Sequence, residues 1–286
     1  MRQVIFGIVS CGVILGVLTA LKAAQAGESA VPKRLTIVPF TAVHVEDAFW
    51  APRIRTNRER SIPHNLKWCE ETGRISNFAK AAGLMEGKFE GIYFNDSDVY
   101  KVLEGASYAL AQQPDPQLEK EVDRIIGLIA AAQRPDGYLN TYYTLTGLDK
   151  RWTNLPVMHE LYCAGHLFEA AVAHYRATGK RTFLDVAIKL ADHIDSIFGP
   201  GKKYGVPGHE EIELALVKLY EVTGEKRYLD LAKFFIDERG DTRHRQSYGP
   251  YCQDHLPVRQ QSEIVGHAVR AMYLYSGVAD VAAYTG

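Results

Sequence analysis

Cysteine is scarce in this chain of 286 residues: there are four, and Cys11 lies in an apolar leader. Cys69, Cys163 and Cys252 remain, with no Cys-x-x-C among them. At most one disulfide can form, and a structural zinc site built from these thiols alone is not expected. Charge of one sign is never concentrated. With 33 basic against 34 acidic residues and a net charge of −1, nothing asks for nucleic acid or an anionic membrane as partner. A Gly-rich phosphate loop, a Gly-x-Ser-x-Gly elbow and a His-Glu-x-x-His helix are all missing, which removes the usual signatures of nucleotide, serine-hydrolase and zincin chemistry.

What is present is ordinary globular material, 47% hydrophobic and 23% charged, enough for a substantial core. Arg2, the apolar residues 4–21 and Ala24-Gln25-Ala26 before Gly27 read as a signal peptide over 1–26, which predicts a secreted or periplasmic protein with no membrane association after cleavage. Ile8-Val9-Ser10-Cys11 resembles a lipobox, but the apolar run continues well past Cys11. Residues 27–54, with Pro32, Pro39 and Pro52 around Leu35–Val38 and Val43–Val45, read as an extended lead-in with one or two short strands. From about Arg55 to Gly286 the periodicity is helical, with helices expected near 55–71, 97–112, 117–132, 156–177, 181–198, 209–222, 226–238 and 260–276.

One phrase is said twice. Tyr175-Arg-Ala-Thr178-Gly179 leading into Phe183-Leu184-Asp185 recurs as Tyr220-Glu-Val-Thr223-Gly224 leading into Tyr228-Leu229-Asp230, and Tyr284-Thr285-Gly286 starts it again. A helix, a Thr-Gly break and a second helix, repeated, is the mark of stacked helical hairpins that bury their faces against neighbours. The expected fold is therefore all-α, an α/α toroid or an open solenoid. A closed six-hairpin toroid needs about twelve helices, so Gly286 is read as a hinge whose second helix is missing. The chain then reads as the amino-terminal part of a larger toroid, marginally stable through its uncovered apolar faces.

Four polar clusters sit at loop-to-helix junctions. Asn95-Asp96-Ser97-Asp98 opens a helix, where carboxylates either cap backbone N–H groups or accept from the vicinal hydroxyls of a sugar. Tyr138-Leu-Asn140-Thr-Tyr142-Tyr143 is a stacking platform or a buried aromatic turn. His159, Cys163 and His166 share one helical face; without the zincin pattern, ligand contact by His159 is the better reading than a metal. Gly208-His209-Glu210-Glu211 opens one helix and Gly266-His267 lies inside another. With Gly165-His166 they suggest an inward ring of imidazoles.

Taken in order, His159-Glu-Leu-Tyr-Cys-Ala-Gly-His166, Pro207-Gly-His-Glu-Glu-Ile-Glu213, Asp237-Glu-Arg-Gly240 and Val265-Gly-His-Ala-Val-Arg-Ala271 resemble glycoside hydrolase family 127, from about Pro39 to Gly286. The resemblance implies an α/α six-hairpin barrel followed by β-sandwich domains, and retaining β-L-arabinofuranosidase chemistry on an oligosaccharide or plant-derived glycan. It also implies zinc, with a zinc-bound cysteine nucleophile and a glutamate acid/base. Those groups lie in a Glu-x-Cys motif, a Cys-Cys pair and a preceding Glu that fall beyond Gly286, so no catalytic residue or metal ligand is expected in this chain. What carries over is substrate binding by His267, His209 and His159, with Asp98 and Asn95 as further cleft residues. Two alternatives stay open: another α/α-toroid carbohydrate enzyme, such as an unsaturated glucuronyl hydrolase or sugar epimerase, and a non-catalytic carbohydrate-binding solenoid.

Overall fold

The computed structural model describes residues 37–286. The expected signal peptide over 1–26 and residues 27–36 of the expected lead-in lie outside them. Residues 37–39 are exposed and irregular and fall in a separate unit; the compact body is Phe40–Gly286.

That body is built from helices α1 (Trp50–Thr56), α2 (Ile62–Glu71), α3 (Arg74–Ala81), α4 (Asp96–Gln112), α5 (Pro116–Ala132), α6 (Thr141–Thr146), α7 (Glu160–Thr178), α8 (Thr182–Ile197), α9 (Ile212–Thr223), α10 (Lys226–Glu238) and α11 (Ala268–Thr285), with a π turn joining α1 to α2. Among the described residues there is no strand, only the isolated bridges Phe198–Lys203 and Gly249–Asp254. The expected strand at Val43–Val45 is irregular chain after a 3-10 turn, Phe40–Ala42. Its β-branched residues have no neighbouring edge to pair with; instead the Gln112 amide donates to the carbonyls of Phe40 and Val43.

Two layers follow from the hairpin repeat. α4, α7, α9 and α11 pack side by side as an inner layer, while α5, α8 and α10 alternate behind them. α7 is central: every residue from Glu160 to His174 is buried, as expected of a helix apolar on nearly all sides. Each inner helix packs on its outer partner through an apolar stripe, Leu184, Ala187, Leu190, Ala191 and Ile194 on α8 for example. The arrangement is an arc of an α/α toroid.

The repeated phrase has identical chemistry at both sites. Gly179 and Gly224 take φ of +75° and +73°, left-handed values that suit glycine, and close α7 and α9. Thr178 Oγ1 donates to His174 O and accepts from Lys180 N; Thr223 Oγ1 donates to Leu219 O and accepts from Glu225 N. The aromatic–Leu pairs that follow are buried core. Asp115, with Pro116 as the first helical residue, caps α5 by accepting from the backbones of Gln117 and Leu118.

The helix boundaries differ from the sequence reading in informative places. α3 and α6 were not expected, and α1 begins at Trp50, inside the segment expected to be an extended lead-in up to residue 54. α3 follows α2 after only Thr72-Gly73, with Gly73 at φ +77°, beyond the expected end of the helix at 71. The expected helix at 260–276 is instead Ala268–Thr285: Gly266 at φ +76° breaks the backbone and His267 is the N-cap. Gly266-His267 therefore precedes its helix rather than lying inside it. Gly208-His209 also stands ahead of α9, separated from it by Glu210 and Glu211.

Candidate functional site

The amino-terminal ends of α4, α7, α9 and α11 carry Asn95 to Asp98, His159, the His209 turn and His267, so the inner layer delivers three half-buried imidazoles to one place. The His159 and His209 ring centroids are 5.4 Å apart, and those of His209 and His267 6.2 Å. Tyr162, one turn into α7, lies 4.3 Å from His209 and 5.4 Å from His159, and Tyr273 of α11 lies 5.8 Å from His209. Phe94 stacks on His159 at 4.9 Å.

Glycine explains the Gly-His spelling. A Cβ on Gly208 would stand 2.0 Å from Pro156 O, and Gly208 N donates to Leu155 O at 2.9 Å, so the His209 turn rests directly on the segment leading to His159. A Cβ on Gly266 would meet Pro250 O at 2.1 Å, and His267 N donates to Tyr251 O. Inside α7, Gly165 leaves room for Glu211. Only glycine permits these backbone approaches.

The backbone also settles which nitrogen of each ring carries the proton. His159 Nδ1 faces Val157 O at 2.5 Å and His209 Nδ1 faces Glu210 O at 2.9 Å. A carbonyl only accepts, so both Nδ1 atoms are protonated, and each Nε2 of the neutral ring is an acceptor. His267 Nδ1 accepts from Arg270 N at 3.4 Å, which leaves its proton on Nε2 as a donor. Burial depresses His159 and takes His209 down to about 3, helped by the Arg270 charge and the neighbouring rings, so both are neutral at physiological pH. Two acceptors and a donor in a half-buried cluster match hydroxyl groups, each of which can donate and accept.

Asp98 and Asn95 are placed differently. Asp98 accepts from Arg74 Nε at 2.8 Å and lines a cleft of about 470 Å³ with Asn65, Trp68, Thr72, Arg74 and Lys101. Lys101 Nζ donates to Tyr162 Oη, connecting that cleft to the imidazoles. Asn95 is buried; its amide donates to Glu90 O at 3.0 Å, and no contact joins it to the histidines. Asp96 is buried and accepts from Thr141 N at 2.8 Å, a tie to α6 rather than a helix cap, with burial raising its carboxyl to about 6. The tyrosine cluster resolves as a buried aromatic turn at Tyr138 and Tyr143, and Tyr138 Oη donates to Glu160 at 2.7 Å.

His159, Cys163 and His166 do not converge. Cys163 Sγ faces Phe94 O, and His166 Nδ1 lies 3.1 Å from Glu211. Zinc needs about four convergent thiolate, imidazole or carboxylate donors. Among the described residues no three His, Cys, Asp or Glu side chains are so arranged. Burial raises the Cys69 thiol to about 11 and raises Cys163 and Cys252 as well, the opposite of what a ligating thiolate requires. These residues do not fit a zinc ion.

Tyr162, Tyr273 and Lys101 were missed in the sequence. Tyr162 stands three residues after His159 and Tyr273 six after His267, at spacings that also serve a core face, so nothing but the fold marks them.

Residues 42–286 match the sequence profile of the β-L-arabinofuranosidase GH127 catalytic domain. A non-reducing end β-L-arabinofuranosidase from Bifidobacterium longum subsp. longum is 46% identical over 231 residues, covering 72% of this chain and 35% of the relative. The crystal structure of a GH127 β-L-arabinofuranosidase from Geobacillus stearothermophilus T6 superposes with a TM-score of 0.82 at 47% identity, over 85% of this chain and 42% of that one. A second GH127 β-arabinofuranosidase gives 0.81 at 52% identity, over 87% and 40%. The chain thus spans about a third of the curated relative's length.

Proposed function

The chain belongs to glycoside hydrolase family 127, and from that membership we propose that it is the sugar-binding part of an exported β-L-arabinofuranosidase. The observation that carries the proposal is the trio His159, His209 and His267, each ring held by a backbone hydrogen bond at Nδ1, on the mouth of a toroid arc. The three Nε2 atoms hold the hydroxyls of one terminal L-arabinofuranose. The adjoining cleft, with the Trp68 ring and the Arg74–Asp98 pair, takes the rest of the glycoside, since aromatic faces and fixed polar groups suit a sugar's apolar and hydroxyl surfaces.

In this reading the zinc-bound cysteine and glutamate acid/base implied by the family are supplied by sequence outside this chain, and residues 1–26 direct export. Titration with methyl β-L-arabinofuranoside, followed by histidine NMR, tests it. The chain is expected to bind without hydrolysing, and His209→Ala to lose binding. A chain that hydrolyses the glycoside with these residues alone would favour a different toroid enzyme. Amino-terminal sequencing of protein recovered from the medium or periplasm is expected to begin at Gly27.

A further inference from the structure

The Asp237-Glu-Arg-Gly240 motif contains a fully buried arginine, Arg239. Arg239 Nη1 donates to Cys252 O at 2.8 Å and lies 2.8 Å from Glu210; Nη2 donates to Pro207 O at 2.9 Å and to Glu213 at 3.1 Å. Pro207 and Glu210 flank Gly208-His209. Glu213 also accepts from Glu211 N, which closes the same turn. The other anchor, Cys252, belongs to the segment that seats His267: Tyr251 O accepts from His267 N, and Pro250 O is the atom that Gly266 must approach. Arg270, in the first turn after His267, completes the frame by donating to Gly208 O at 2.7 Å and to Cys252 Sγ.

We infer that Arg239 is the positioning residue of the site, a buried fork that sets the distance and orientation between the His209 and His267 rings by tying the 207–213 turn to the 250–252 segment. Stability does not account for it, because a buried ion pair is often matched or bettered by apolar packing of the same volume. What the guanidinium supplies is direction: planar donors aimed at two loops, which neither a lysine nor an apolar chain reproduces. His159 has supports of its own, Val157 O and the Phe94 ring, and meets the fork only through the His209 turn.

The test compares wild type with Arg239→Lys and Arg239→Met in the whole chain. Histidine ring resonances report the geometry, and titration with methyl β-L-arabinofuranoside reports its use. In the lysine variant the signals of His209 and His267 are expected to shift while those of His174 and His193 stay in place. Affinity is expected to fall by about tenfold or more. Unmoved His209 and His267 signals would overturn the inference, and so would equal disturbance of His174 and His193, neither of which touches the fork, which would mark a merely structural residue. Should neither Arg239 variant fold, Glu213→Gln weakens the same fork from its partner side and is expected to shift His209; an unchanged His209 would again overturn it. The inference uses the sugar-binding reading only for the affinity arm. If wild type binds no arabinofuranoside, that reading fails, while the ring shifts still judge Arg239.

Discussion

At the scale of single residues the site is a set of backbone decisions. Val157 O and Glu210 O each hold a proton on Nδ1, and the Arg270 N–H takes the lone pair of His267 Nδ1. Burial then keeps His209 neutral down to about pH 3. Because its folded pKa lies below the ordinary value of about 6.5, the unfolded chain binds more protons between the two. The histidine's contribution to stability is complete above about pH 6.5 and is lost as pH falls through about 3. Glu160, raised by burial to about 7, has the opposite sign: its contribution is full below about 4.5 and lost as pH rises through 7. An NMR pH titration is therefore expected to show the His209 ring unchanged from pH 7 to about 4; a midpoint near 6.5 would contradict its burial. Gly208→Ala places a methyl 2.0 Å from Pro156 O. Urea unfolding is expected to show a loss of about 1–3 kcal/mol, the usual cost of overpacking, with the His209 signal displaced.

At the scale of elements the Thr-Gly hinge supplies the contrasting case. A Cβ on Gly179 would meet nothing within 4 Å, so Gly179→Ala is charged only with its left-handed φ. The expected cost in urea unfolding is about 1 kcal/mol with the histidine signals unmoved. The same comparison shows what could be read beforehand. α4, α5, α8 and α10 lie within a residue or so of their expected bounds because their apolar periods are strong and Pro114-Asp-Pro116 and Thr-Gly mark their ends. α11 was misregistered because Ile264 and Val265 continue the apolar pattern into a segment that Gly266 breaks. The Gly-His phrases were legible as residues that the fold gathers in one place, since a glycine beside a histidine stands out. Tyr162, Lys101 and Arg239 were not: their roles depend on partners 61 residues away for Lys101 and 13 to 32 away for Arg239, and no local spacing records those meetings.

At the scale of the whole molecule, inner helices with their amino ends at one mouth explain why three histidines spread from 159 to 267 meet. Since no described cluster fits a metal, sugar binding by the chain is expected to be unchanged by a chelator; calorimetry with and without EDTA checks this, and a loss of affinity would place a metal in the site. In the proposed function His159, His209 and His267 together hold one L-arabinofuranose. The most direct measurement is a titration of the chain with methyl β-L-arabinofuranoside, read at all ten histidine rings. The three signals are expected to move together along one saturation curve, while those of the buried His174 stay still. Three signals that saturate separately, or none that moves while the fold is intact, would contradict that reading.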